Sequence, residues 1–266
     1  MSSSLVALVS GGTSGIGLEV VRGLAAAGCL VFELSRREQG PDIPNVLHIQ
    51  ADVTDEARVR QAVAEIIAAE GHLDILVNNA GFGISGAFEF NDSAEAHRQL
   101  EVNLFGMANL IRAAVPHMRE QGWGRIVNLS SVAAETPIPF QSWYSASKAA
   151  INSLTMSLAN ELKPFGIGVC AVMPGDIRTG FTAARAKETA GDEIYGGVIG
   201  RSVAKMEKDE QNGMEPRVVA HKICRLCLQR QVRPLYTVGA TYKFFVFLAR
   251  VLPKPLVNYI IGRMYC

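Results

Sequence analysis

Five cysteines in 266 residues are too few for a disulfide scaffold, and they suit a chain kept in a reducing compartment. No uncharged apolar run approaches the ~20 residues that cross a bilayer. The first ten residues carry no basic segment and only a short apolar run, so no secretory leader and a cytoplasmic location are expected. A net charge of +1 argues against a general nucleic-acid binder. The five histidines have no ligand spacing. Cys224-x-x-Cys227 lacks a second pair and falls in a helical pattern, so helix packing is expected there rather than a metal site. No repeat or low-complexity tract occurs. One absence is local: residues 217–266 hold nine basic side chains and no acidic one, whereas residues 1–216 carry 25 acidic against 17 basic.

What is present can fold. Apolar residues make up 48% and charged residues 19%, enough for a large core and wrong for disorder or a fibre. Short β-branched runs at 5–10, 30–35, 46–50, 73–78, 124–130 and 166–172 alternate with helical patterns at 15–27, 55–70, 94–121 and 142–162. Continuous apolar strands separated by helices predict an α/β doubly wound parallel sheet, the Rossmann fold, in a single domain over residues 1–266. Beyond residue 180 the pattern loosens. Residues 181–215, with several glycines and few sustained apolar periods, read as a lid over a substrate site. A helix at 216–230, a short strand at 235–238 and two helices at 240–252 and 256–264, divided by Pro253 and Pro255, complete the chain.

The turn Ser10-Gly11-Gly12-Thr13-Ser14-Gly15-Ile16-Gly17 follows the first strand and opens a helix. Its glycines let backbone approach a pyrophosphate, and the helix N-terminus offers it unpaired N–H groups. The G-x-x-x-G-x-G spacing resembles that of the short-chain dehydrogenase/reductase family. Five further blocks occur in the family's order: Asn78-Asn79-Ala80-Gly81, Asn103 within a helix, Ser131, Tyr144-x-x-x-Lys148, and Pro174-Gly175-x-Ile177-x-Thr179. Residues 79–86 and the tail resemble, within the family, the branch of 17β-hydroxysteroid and retinol dehydrogenases.

The resemblance implies a catalytic set of Asn103, Ser131, Tyr144 and Lys148. The chemistry asks for such groups independently. Hydride transfer to a carbonyl leaves alkoxide charge that needs a proton, and an ordinary tyrosine is a poor acid–base at neutral pH. Lys148 lies four residues after Tyr144 on the same helical face, where its ammonium would lower the phenol's pKa. Ser131 would orient the carbonyl, and Asn103 would brace a water near Lys148. Ser130 faces the other side of its strand and is expected to satisfy backbone groups.

The implied cofactor residues are Gly11, Thr13, Ser14, Gly15, Ile16, Gly17, Ser35, Arg36, Asp52, Val53, Asn79, Ala80, Gly81, Tyr144, Lys148, Pro174, Gly175, Ile177 and Thr179. Ser35 stands where an acidic residue would read a ribose diol, and Arg36 follows it. That pairing favours NADP(H), with Glu33 too deep in its strand to reach the ribose. Asp52 also suits a simple turn. Phe82, Phe140, Trp143 and Phe181 flank the blocks and predict an apolar pocket for a steroid, retinoid or medium-chain carbonyl or alcohol. A broad-specificity carbonyl reductase is the plainer alternative, and a non-catalytic NADP-sensing protein the alternative of another class. The family's habit, with small and apolar residues along 100–117 and 149–162, predicts a homodimer or homotetramer. The basic tail, 240–266, either covers the body with its cationic heads outward or lies on a membrane surface; covering the body is the expected reading.

Overall fold

The computed structural model describes residues 4–266; residues 1–3, part of the N-terminal run, lie outside them. The strands are β1 (Val6–Ser10), β2 (Leu30–Ser35), β3 (Val46–Gln50), β4 (Ile75–Asn78), β5 (Ile84–Ser85), β6 (Gly124–Leu129), β7 (Ile167–Met173), β8 (Ala186–Lys187) and β9 (Leu235–Thr237). Seven form one parallel sheet in the order β3-β2-β1-β4-β6-β7-β9. The order reverses between β1 and β4, so a crevice opens at their carboxyl ends, where such folds bind ligands. The glycine-rich turn follows β1, and Asn78-Asn79-Ala80-Gly81 follows β4.

The helices are α1 (Gly15–Ala26), α2 (Glu56–Glu70), α3 (Ser93–Leu100), α4 (Gly106–Glu120), α5 (Ser142–Glu161), α6 (Phe181–Ala184), α7 (Val198–Gln211), α8 (Pro216–Leu228), α9 (Ala240–Val251) and α10 (Lys254–Tyr265). Successive strand residues face opposite sides, so one strand feeds two cores. From β1, Val6 and Leu8 pack with Ile66 of α2, Leu110 of α4 and Ile151 of α5. Ala7 and Val9 pack with Leu24 of α1 and Ile223 of α8. Burial on both faces is why the strands read as unbroken apolar runs. Cys224 sits against Gly23 of α1, and Cys227 is fully buried in the second core, so the cysteine pair is packing, as expected.

A buried polar chain holds α5 to the sheet. Asn78 Nδ2 donates to Asn128 Oδ1 (2.8 Å), and Asn128 Nδ2 donates to Thr155 Oγ1 (2.9 Å). Polar groups this deep must find partners, and these fix the helix against the ends of β4 and β6.

Three expectations need correction. The single helix at 94–121 is interrupted: Glu101–Phe105 forms a π-helical turn between α3 and α4, and Asn103 sits inside it. Such turns insert one residue and re-aim a side chain without an obvious sequence mark. The lid is not a structureless loop. β8 pairs in parallel with β5, and α7 buries Ile199, Val203 and Met206, spaced as one helical face, in a small separate core. Arg185, almost fully buried, pairs with Glu210 of α7 and fastens the segment. Finally, the tail covers the body with only part of its apolar side chains. Val246 and Ala249 of α9 face inward, while Phe244, Phe247 and Val251 face out.

Candidate active site

The turn after β1 is built for close approach. Gly11 and Gly15 hold φ of +66° and +54°, in the left-handed region. A Cβ on Gly17 would lie 2.2 Å from the Gly11 carbonyl oxygen. The loop after β4 clips this turn: Ser10 Oγ accepts from the Asn79 and Ala80 N–H groups (3.1 and 3.2 Å), and Asn79 Nδ2 donates to the Gly11 carbonyl (2.9 Å). Ser14 begins α1 without a side-chain cap bond, so the first N–H groups of the helix have no capping partner in its hydroxyl. Thr179 closes the far side, its side chain 3.5 Å from where a Gly15 Cβ would stand. Gly11, Thr13, Ser14, Gly15, Ile16, Gly17, Asn79, Ala80, Gly81 and Thr179 therefore meet around one cradle, and this donor set fits a dinucleotide pyrophosphate.

Glu33 serves the cradle from below. It is fully buried, accepts from the Gly12 N–H (2.8 Å), and lies 2.6 Å from His48 Nδ1. His48 Nε2 donates to the Arg37 carbonyl (2.8 Å). Ser35 Oγ donates to Glu33 (3.3 Å), whereas the Arg36 side chain is 67% exposed, 4.0 Å from Asp52. Asp52 also accepts from the Thr54 N–H and hydroxyl, so it is a turn residue as well. The Val53 side chain is buried against Gly106 and offers an adenine only its backbone.

α5 carries Tyr144 and Lys148. Lys148 Nζ donates to the Leu129 carbonyl (2.8 Å) and stands 5.6 Å from the centre of the Tyr144 ring. Burial pushes the Tyr144 phenol up to about 12, opposed by the Ser131 hydroxyl, and pushes the Lys148 ammonium down to about 8. The expected lowering of the phenol is therefore outweighed by desolvation. Tyr144 stays protonated through the physiological range and so has a proton to give. Ser131 Oγ accepts from the Ala133 N–H (3.1 Å), which leaves its own proton free to donate. Ser130 Oγ donates to the Lys148 carbonyl (3.1 Å), the backbone role expected of it.

The Asn103 side chain is tied to the loop after Gly81 and to α5. Its carboxamide accepts from the Phe82 N–H (3.0 Å) and donates to the Phe82 carbonyl (2.9 Å) and Ser147 Oγ (3.2 Å). It fixes the loop after Gly81, and a Cβ on Gly81 would stand 3.0 Å from Asn103 Oδ1 and 3.9 Å from Lys148 Nζ.

The residues of the other half were legible in the sequence, but not the contacts that join them. Val132 N–H donates to the Pro174 carbonyl (3.0 Å), joining the serine loop to the Pro174–Thr179 block. Gly175 is covered by the Tyr242 ring from α9, whose hydroxyl donates to Asp176 (2.7 Å); Ile177 is buried and bridged to Met214. Burial raises the pKa of Asp176 above the usual carboxylate range, and the Tyr242 hydrogen bond opposes it. Phe181, expected at the lid's opening, lies with its ring 5.7 Å from that of Tyr144. Trp143 stacks on Phe88 at 5.4 Å, and Phe140, at φ +61°, meets Tyr195 edge-on at 6.0 Å.

Comparison with known proteins accords with this geometry. The sequence pattern of the short chain dehydrogenase family matches residues 5–190. A 3-ketodihydrosphingosine reductase of Bacteroides thetaiotaomicron is 39% identical over 263 residues, covering 98% of this chain and 97% of that protein. A short-chain dehydrogenase of Streptomyces avermitilis superposes with a TM-score of 0.85 at 31% identity, over 99% of this chain and 98% of the other. Two further structures hold cofactors. ElxO with NADP bound has a TM-score of 0.76 and 27% identity, over 91% and 99% of the two chains. A 3-ketoacyl-(acyl-carrier-protein) reductase of Brucella melitensis with NADH has a TM-score of 0.76 and 28% identity, over 88% and 96%. The chain belongs to the short-chain dehydrogenase family, nicotinamide-dependent oxidoreductases acting between carbonyls and alcohols.

The lowered Lys148 pKa has a direct consequence. Its positive charge beside Tyr144 is present below about pH 8 and lost above. For carbonyl reduction, kcat/KM should be level below pH 8 and fall toward tenfold per unit above it, read from initial rates across pH. A level profile to pH 10 would separate Lys148 from the reaction.

Proposed function

We propose that this chain is an NADP(H)-dependent reductase of an apolar ketone, of the long-chain lipid type represented by 3-ketodihydrosphingosine. The observation that carries the reading is the pairing of a protonated, half-buried Tyr144 with the aromatic ring of Phe181, a proton donor facing an apolar wall. The near full-length likeness to the Bacteroides reductase supports the lipid ketone; steroids, retinoids and medium-chain carbonyls share its apolar character.

The nicotinamide would supply the hydride that adds to the carbonyl carbon. Tyr144 gives its proton to the oxygen as charge develops there, so ketone, hydride and proton yield the alcohol. Ser131 donates a hydrogen bond to the same oxygen and orients it. The Lys148 ammonium, 5.6 Å from the ring, stabilises the phenolate left behind. Asn103 positions the Phe82 wall through both of its backbone groups.

The preference for NADP(H) rests on Arg36, exposed where a 2′-phosphate would sit, and on Glu33, spent beneath Gly12 and unable to bind a ribose diol. Pairing of two or four copies is read from apolar side chains left exposed along the helices of the site: Phe105 before α4, Met156 on α5 and Phe165 after it. Light scattering at micromolar protein should give the mass of a dimer or tetramer, and a monomer mass would remove this assembly.

The reading as a whole is tested by a carbonyl panel followed by NADPH oxidation. Long-chain 3-keto lipids, steroids and retinal should outpace phosphorylated sugars, and Ser35→Asp with Arg36→Ala should shift preference toward NADH by at least tenfold. Turnover confined to small polar substrates would reject the apolar pocket. A wild-type preference for NADH would reject the role of Arg36.

A further inference from the structure

The last two helices carry an apolar surface that the fold leaves uncovered. On α9 the inward positions are Tyr242, Val246 and Ala249, and the opposite face presents Phe244 (58% exposed), Phe247 (59%) and Val251 (59%). On α10, Leu256, Tyr259 (65%), Ile260 and Met264 are exposed, and no residue is buried. These side chains are large, adjoining and directed away from the body, and such patches mark interaction surfaces. Lys243, Arg250, Lys254 and Arg263 flank them, part of a run of nine basic residues from 217 to 266 without one acid.

We propose that the outer faces of α9 and α10 dock on an anionic lipid surface. An apolar face bordered by cations is the pattern of helices that lie in a membrane interface, where phenyl, leucyl and tyrosyl groups enter the acyl boundary and the cations meet headgroup phosphates. Spanning is excluded by length: each helix has 12 residues, about 18 Å against the ~30 Å of a hydrocarbon core, and Pro253 and Pro255 keep the two from fusing. Among the described residues no helix is long and apolar enough to cross a membrane. A second copy of this chain suits the surface poorly. A two-fold interface would set Lys243, Lys254 and Arg263 against the same three with no acid on the helices to offset them, Arg250 being paired with Glu135 of the body (3.0 Å).

The inner faces of the same helices border the active site. Tyr242 covers Gly175 and donates to Asp176 (2.7 Å). Tyr265 packs against the small core of Ala87, Ile199, Val203 and Met206, and a cleft between Gly262 and Ser142 opens beside the start of α5. Docking would hold this side of the site close to the lipid. The docking itself rests on the tail surface and stands apart from the choice of substrate.

The test is co-sedimentation of the full chain with phosphatidylcholine vesicles, with and without phosphatidylserine, at low and high salt. Wild type should sediment with the anionic vesicles at low salt, and less so as salt rises. Replacing Lys243, Lys254 and Arg263 by Gln should weaken binding about fivefold per charge, roughly a hundredfold in all. Phe244→Ser with Phe247→Ser should release the protein from anionic vesicles at either salt. Circular dichroism and NADPH oxidation with a small water-soluble ketone should be unchanged in both variants. Failure of wild type to bind anionic vesicles at low salt would overturn the proposal. So would equal binding by the variants, or a fall in oligomer mass on Phe244→Ser with Phe247→Ser, which would make this face a contact between copies.

Discussion

The amino group of Lys148 is the constraint on which the site depends. A buried ammonium is costly unless its hydrogen bonds are made, and this one donates to the carbonyl at the end of β6 while lying beside the Tyr144 ring. α5 must therefore keep one rotation and one height against the sheet. The chain from Asn78 through Asn128 to Thr155 holds the same helix two turns further along, and the Ser130 bond to the Lys148 carbonyl holds it from the strand end. Packing alone tolerates small slides of a helix; buried hydrogen bonds at both ends do not. The same burial sets the chemistry, since it keeps Tyr144 protonated and brings the Lys148 pKa down toward neutrality.

The cofactor cradle obeys a parallel rule. Its turn is short of side chains, so it borrows support from elsewhere: Glu33 and His48 from below, Asn79 and Ser10 from the side. Ser10 and Asn79 stand at the carboxyl ends of β1 and β4, beside the reversal, while Glu33 and His48 reach in from within β2 and β3. The fold thus places backbone N–H groups, not side chains, at the centre, with Ser14, Arg36 and Thr179 at the rim.

Strands, their parallel order and the catalytic spacing were legible because they are local patterns: apolar runs for strands covered on both faces, and a four-residue step for Tyr144 and Lys148. The purpose of Glu33 was legible only as a negative, that it sits too deep to read a ribose. Its partners at Gly12 and His48 are fixed by strand register, which no short window reveals. The π turn at Asn103, the joining of β5 to β8 and the Tyr242–Asp176 bond were hidden for the same reason: each is decided by contacts distant in sequence. α7 was obscured by the glycines before it, although its apolar residues do keep helical spacing. The tail was read correctly as apolar and basic, but the side that faces outward depends on where α9 meets Gly175, and only the packed structure supplies that.

The account stands on Tyr144 as proton donor in a site whose cofactor cradle is independent of it. The direct measurement is Tyr144→Phe, with turnover of the best substrate and NADPH affinity read on the same protein. Removal of one hydroxyl should cut kcat by about 10²–10⁴-fold, the range of general acid catalysis, and leave the NADPH Kd within a factor of about three. Turnover close to wild type, with the cofactor still bound, would contradict the account.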